Sequence, residues 1–407
     1  DSATSLPDVR NEVIKINLRD SVDQTYTGND RTSRIALIIN IWNIYKHFSL
    51  FDDPKFSWDM LLETYLQKAA LAKDKTEFLS VLQKFVVETN DEQSRVWMLE
   101  DTTEYSIPLF WKFIDNKLVV TQLVDTTLNI GKGDILLSIN NESVQDLIYE
   151  KAKIYCGVSE SLKILKAVTS FRIGPKNTTV VLKIKKADGK TLDITLNRSV
   201  PITEMYEKKY SPFFEIQKGI FYLDLTNFDD KLMREAIKVY EKADAIIYDA
   251  RGMTAVGDFF LGMFASAYMK SVEMRIPVFT KPDHKQISYR TIPKVISPKN
   301  PFLKSKIVFL TDGRTAGLAE GLVAITQNYK LGEIIGSPTS GMLTDVLGAN
   351  IPGEYRFTLS AVFGILPNGD IANRKVINPT IPAPYTIKGV IEGKDEPLEK
   401  AIEFLTK

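Results

Sequence analysis

The apolar residues of this 407-residue chain change their period twice, and that change limits its fold more than any single motif does. Between Arg34 and Phe48, Ile35, Ile38, Ile39, Trp42 and Tyr45 follow the three-and-four spacing of one buried helical stripe. Ser57 can cap a second helix, and Asp74-x-x-Glu77 forms a capping-box pattern before Phe78, Leu79, Leu82, Phe85 and Val86. The spacing predicts a three-helix unit over 31–88. From about Ile107 the period becomes two. Val180, Leu182 and Ile184 alternate up to Asp188-Gly189, and Leu192, Ile194 and Leu196 alternate after it, which predicts a hairpin. After a linker over 201–212 the pattern changes again. Ile220 to Leu225, Ala245 to Tyr248 and Ile307 to Leu310 read as strands, separated by helices at Lys231 to Lys242 and near Phe259 to Met269. Strands alternating with helices imply a largely parallel sheet, whose ligands and catalytic groups collect beyond the carboxyl ends of its strands.

Composition excludes several classes of function. With 52 Lys+Arg against 51 Asp+Glu, the chain lacks the basic excess of a nucleic-acid or polybasic membrane binder. One cysteine, Cys156, and two histidines, His47 and His284, leave no disulfide framework, no Cys-rich zinc site and no His-rich metal site. No metal and no cofactor are expected. Any Ser-His mechanism must recruit one of those two imidazoles. His47 reads as a packed or solvent-capped residue near the end of the first helix, and His284 as part of a solvated loop. No apolar run reaches the roughly 18 to 20 residues of a membrane span, and no signal-peptide pattern stands at Asp1.

Two loops leave predicted strands of the alternating region, one at Asp249-Ala250-Arg251-Gly252 and one at Thr311-Asp312-Gly313-Arg314-Thr315. Ahead of them stands Gly131-Lys132-Gly133-Asp134-Ile135-Leu136. After them come the run from Leu331 to Gly341 and Asn378-Pro379-Thr380-Ile381-Pro382. In this order and spacing, over roughly 31–385, the chain resembles the C-terminal-processing (tail-specific) serine peptidases, in their tricorn-like branch. The resemblance implies an α/β multidomain protein. Its parts would be an N-terminal helical cap (1–105), a PDZ-like β-rich domain (106–203) and a ClpP/crotonase-like α/β peptidase core (204–407).

In that family the nucleophilic serine opens a helix in a Thr-x-Ser-x-Ala-Glu loop, where backbone N–H groups stabilise the oxyanion. Here the loop reads Thr315-Ala316-Gly317-Leu318-Ala319-Glu320, so the nucleophile position is Gly317. The tricorn-like base is a histidine in Asp-x-His-x-x-Val, and the matching run, Asp91 to Val96, carries Gln93, an amide that takes no proton near neutral pH. The other branch uses a lysine, whose position here is Met342. The orienting acid falls near Asn373. Leu318, Thr254 and Ala255 occupy the oxyanion-hole region. Ser94, Trp97, Trp111, Thr315 and Ser340 are candidates to line the cleft. Asp249 reads as a structural partner of Arg251, and Glu320 as a first-turn carboxylate complementing the helix dipole.

Three functions stay open on this reading. The first is an inactive peptidase homologue that holds an extended peptide or unstructured protein segment in the interdomain cleft. The second is an active serine endopeptidase with an engineered or relocated nucleophile, and the third is a scaffolding protein whose cleft is filled. The resemblance implies export to the periplasm or cell surface. Nothing in the sequence fixes an oligomeric state.

Overall fold

The computed structural model describes residues 27–50, 57–98, 104–205, 207, 210–279, 281, 287–343, 346–351 and 355–407. His284 lies outside them. Three helices open the described chain, Arg31–Phe48, Trp58–Leu71 and Lys75–Glu88. Their first turns are capped by Asp30, Ser57 and Asp74, whose side-chain oxygens accept from backbone N–H groups that the helix leaves unpaired. The first helix buries Leu37, Ile38, Ile41 and Tyr45 and leaves Ile39 exposed, a face turned from the expected stripe. The turn follows from Arg34, which is itself buried because its guanidinium donates to the carbonyls of Gly28, Asn29 and Ala69.

Residues far along the chain complete this helical core. The strand Arg95–Met98 pairs antiparallel with Tyr355–Ser360, which pairs in turn with Val346–Ile351. Tyr355, Phe357 and Leu359 pack against the helices, and Tyr65 meets Phe85 edge-on with ring centroids 5.3 Å apart. Cys156 is buried in the same cluster, where burial pushes its thiol up to about 12 and leaves it inert.

The period-two region forms an antiparallel sheet in the order Leu109–Ile114, Lys117–Leu123, Ile135–Ile139, Thr179–Lys185, Thr191–Asn197. The helices Val144–Ala152 and Glu160–Ser170 help to cover its core. Asn140 and Asn141 both take positive φ, 50° and 68°, in the tight turn after the third of these strands. The expected hairpin forms, with Gly189 at φ 86° in its turn.

The third sheet runs Phe213–Gln217, Ile220–Asp224, Ala245–Asp249, Lys306–Thr311, Glu333–Gly336, Ile381–Pro382. Only its first pair is antiparallel. Alternate strand residues serve opposite faces. Ile246, Tyr248, Ile307 and Phe309 pack against the helices Asp230–Tyr240 and Leu318–Tyr329, whereas Ile247, Val308 and Leu310 pack against Glu396–Thr406. The expected helix near Phe259 to Met269 is a 3₁₀ segment, Asp258–Phe264, followed by a short strand, Met269–Lys270. The carbonyls of Gly262 and Met263 accept from Lys299 and Leu303, so they serve a crossing segment. That crossing is close enough that a Cβ at Gly262 would stand 2.2 Å from the Ser297 carbonyl oxygen.

Arg251, 2% exposed, ties the parallel sheet to the last helix. It donates to both oxygens of Asp249 and both of Asp395, and also to the Tyr385 hydroxyl, while Tyr222 donates to Asp249 at 2.7 Å. The structural role expected for Asp249 is the one observed. Replacing Arg251 by Met leaves two carboxylates facing each other in the interior. Arg251→Met is expected to cost about 3–5 kcal/mol of unfolding free energy, read from urea denaturation.

Candidate functional site

The strands Ala245–Asp249 and Lys306–Thr311 are parallel neighbours, so the loops leaving their carboxyl ends lie side by side. The Thr315 hydroxyl stitches the loops together, donating to the Ala250 carbonyl at 2.8 Å and accepting from the Asp312 N–H. Gly317 follows at φ 59°, ψ −127°, a backbone state that side chains strain to adopt. It turns the chain into the helix Leu318–Tyr329. A Cβ here would meet only the Met253 methyl, at 4.0 Å, so the position has room for a side chain and carries none.

The loop 339–342 closes over this turn. Gly317 N–H donates to the Met342 carbonyl at 3.1 Å, and Ser340 N–H and hydroxyl both donate to the Thr315 carbonyl. Glu320 holds the loop from below. Its carboxylate accepts from the Gly341 and Met342 N–H groups, each at 2.8 Å, and from the hydroxyls of Thr339 and Ser340. Glu320 is fully buried, so the expectation of a carboxylate that merely complements the helix dipole is corrected: it anchors a loop. Burial pushes it up to about 7 against the pull of those four donors.

A cavity of about 1560 Å³ opens between the helical core, the antiparallel sheet and these loops. Gln93, Ser94, Trp97, Trp111 and Met342 border it, whereas Thr254, Ala255, Thr315, Gly317, Leu318, Ser340 and Asn373 are not among its lining residues. Gly317 adjoins the wall through Met342. The hydroxyl candidates are committed elsewhere. Ser94 Oγ receives the Tyr45 hydroxyl at 3.0 Å, and Ser94, Thr315 and Ser340 are all buried. Asn373 spends its amide on the Gly364 N–H and the Val362 carbonyl, and makes no hydrogen bond to Gln93 or Gly317 among the described residues. Thr254 donates to the Leu225 carbonyl beside exposed Ala255. Leu318, half exposed, opens the helix, whose first N–H groups lack intrahelical partners.

The two tryptophans differ. Trp97 is half-buried between the guanidinium groups of Arg95 and Arg356, 5.1 and 5.7 Å from its ring. Trp111 is mainly a core residue, with its indole N–H on the Val168 carbonyl at 2.7 Å. Half-buried His47 ends the first helix and is not among the cavity's lining residues. No group of three or more metal-ligating side chains occurs among the described residues.

Sequence reasoning missed the charged half of the cavity. Lys112, Arg172, Glu207, Asp312, Arg314 and Tyr385 come from five separated segments and meet there. Lys112 left a trace as the one cation within the aromatic run Phe110 to Phe113, and Asp312 and Arg314 stood in the motif of the second loop without a role. Glu92 was missed as well. It borders the cavity, is 1% exposed, and has no hydrogen-bond partner for either carboxylate oxygen. Burial, followed by the charge of Asp91, pushes it up to about 7.

Residues 219–383, which contain both loops and the parallel sheet, match the model of peptidase family S41. Over these residues the chain is similar to the S41 peptidases. Solved structures agree over nearly its full length. Mature CPAF superposes with a TM-score of 0.73 at 13% identity, covering 92% of this chain and 97% of that one. The photosystem II D1 C-terminal processing protease gives 0.52 at 14% identity, covering 90% and 98%. At such identities the likeness concerns the fold, and the S41 fold is the α/β multidomain architecture the sequence implied. No curated protein sequence matches.

Glu92 and Glu320 make the stability of this fold sensitive to pH. Both folded values lie above the ordinary 4.5, so the contribution of each protonated carboxyl is whole below about 4.5 and is lost as pH rises through about 7. Each shift is worth on the order of 3 kcal/mol. Unfolding free energy measured in urea is expected to fall between pH 5 and pH 8, and Glu92→Gln is expected to remove about half of that fall.

Proposed function

We propose that this protein is a non-cleaving member of the S41 family that holds an extended peptide or unstructured protein segment in the cavity beside Gly317. One observation carries the reading. The turn that would present a nucleophile is built, open and hydrogen-bonded in place, and the residue on it has no side chain. The surroundings agree, because Gln93 and Met342, at the two alternative base positions, offer no proton acceptor for catalysis. The buried hydroxyls of Ser94, Thr315 and Ser340 are engaged with protein atoms, which argues against a relocated nucleophile. The cavity is open and bordered by Trp97 and Trp111, which favours a ligand over a filled scaffold.

In this reading the antiparallel sheet over 106–203 is the PDZ-like module, the helices up to residue 105 are the cap, and 204–407 is the peptidase-like core. A place outside the cytoplasm, periplasmic or at the cell surface, belongs to the same proposal. No helix among the described residues is long and apolar enough to cross a membrane.

The assay is hydrolysis of an unstructured polypeptide followed by mass spectrometry. Wild-type protein is expected to leave it intact. Gly317→Ser supplies a hydroxyl but no base, so it too is expected to give no turnover above background. Restored cleavage by Gly317→Ser would show that the missing hydroxyl alone separates this protein from an active peptidase. Cleavage by the wild type, abolished by a substitution at the cavity, would overturn the reading.

A further inference from the structure

Three cations from different segments converge on one wall of the cavity: Lys112 on the strand Leu109–Ile114, Arg172 after the helix Glu160–Ser170, and Arg314 on the loop before Gly317. Among the described residues of 201–212, Glu207 answers them. Glu207 Oε1 stands 3.3 Å from Lys112 Nζ, and Glu207 Oε2 accepts from Arg314 Nη1. Arg314 is also held by Asp312, at 2.6 Å. Lys112 lies 4.0 Å over the Tyr385 ring. Arg172 is left incomplete, since Nη1 donates to the Leu109 carbonyl and its buried Nε has no partner.

The electrostatics describe a place built for a carboxylate. Burial alone would raise Glu207, yet Arg314 and Lys112 hold it well below the usual carboxylate range. Burial lowers Lys112, and Glu207 offsets part of that effect. Without Glu207, three cations would face only Asp312, with an unused guanidinium N–H among them. Exchanging one carboxylate for another there costs little net desolvation, because the site already holds an ion of that charge and shape.

Resting on the peptide-holding reading above, we infer that Lys112, Arg172 and Arg314 form a binding site for the carboxylate side chains of an acidic peptide. Glu207 occupies that site as an internal stand-in and is displaced when the peptide binds. The stand-in is tethered, so it competes at the high effective concentration of an intramolecular partner and weakens the affinity for any peptide that must expel it.

Fluorescence anisotropy of a short unstructured peptide carrying glutamates, beside its glutamine counterpart, tests this on the full chain. Glu207→Gln is expected to bind the glutamate peptide at least about tenfold tighter than wild type does, with no such gain for the glutamine peptide. Adding Lys112→Met is expected to erase the gain. Equal affinity of Glu207→Gln for both peptides would overturn the carboxylate site and leave the peptide-holding reading standing. Failure of every folded variant to bind either peptide would overturn both. If thermal melting shows Glu207→Gln unfolded, hydrogen exchange of wild type decides: exchange across 201–212 is expected to rise with bound glutamate peptide. Unchanged exchange at saturation overturns the proposal.

Discussion

The left-handed backbone at Gly317 is the constraint from which the rest of the site is arranged. A chain leaving the strand Lys306–Thr311 must reverse into the helix Leu318–Tyr329 within a few residues, and φ 59° with ψ −127° accomplishes that turn. For a residue with a Cβ this state costs about 1–3 kcal/mol, which an enzyme tolerates because the strain presents its nucleophile. Glycine adopts it freely. The same turn therefore persists here without strain, and with it the Gly317–Met342 hydrogen bond and the Thr315–Ala250 stitch.

Glu320 shows why the geometry is hard to lose. Its carboxylate gathers donors from 339–342, and without it the Gly341 and Met342 N–H groups and the Thr339 hydroxyl would need other acceptors, whereas the Ser340 hydroxyl keeps the Thr315 carbonyl. Glu92 is the opposite case, a buried carboxyl whose two oxygens have no hydrogen-bond partner among the described residues. The two are pushed up to a similar value for different reasons. Glu320 is desolvated but satisfied, whereas Glu92 is desolvated beside the charge of Asp91. Both burials carry a pH-dependent cost, but that of Glu320 builds a loop whereas that of Glu92 lies on the cavity wall.

Much of the fold was legible because its signals are local. The three helices begin at caps written into the chain, and the Asp188-Gly189 turn and the alternation around it specify their hairpin. The failures came where a distant segment intervened. Gly262 sits in a stretch with helical spacing, yet the backbone near Ser297 crosses it too closely for a regular helix to keep its own carbonyls. Arg34 rotated the first helix by seeking the carbonyl of Ala69, 35 residues away. At the site, Gly317, Gln93 and Met342 could be named through the family resemblance that the motifs carry. Glu207 could not, since nothing in a polar linker marks the one residue that will meet Lys112 and Arg314.

That contrast separates two kinds of surface around one cavity. Gln93 and Met342 are inert where chemistry would need a base, the hydroxyls of Thr315 and Ser340 behind the wall donate to backbone carbonyls, and Ser94 receives the Tyr45 hydroxyl. The charged wall holds cations gathered from separate elements, Arg314 coming from the motif loop itself, and such a cluster is costly to assemble and to keep solvent-poor. A protein that merely lost its nucleophile has no need of the second wall. An ion cluster in a large open cavity persists most economically when a carboxylate fills it in every state, Glu207 in the empty protein and an acidic partner in the loaded one. Binding then becomes an exchange between two anions, and its strength is set by the difference between them more than by the depth of the charge well.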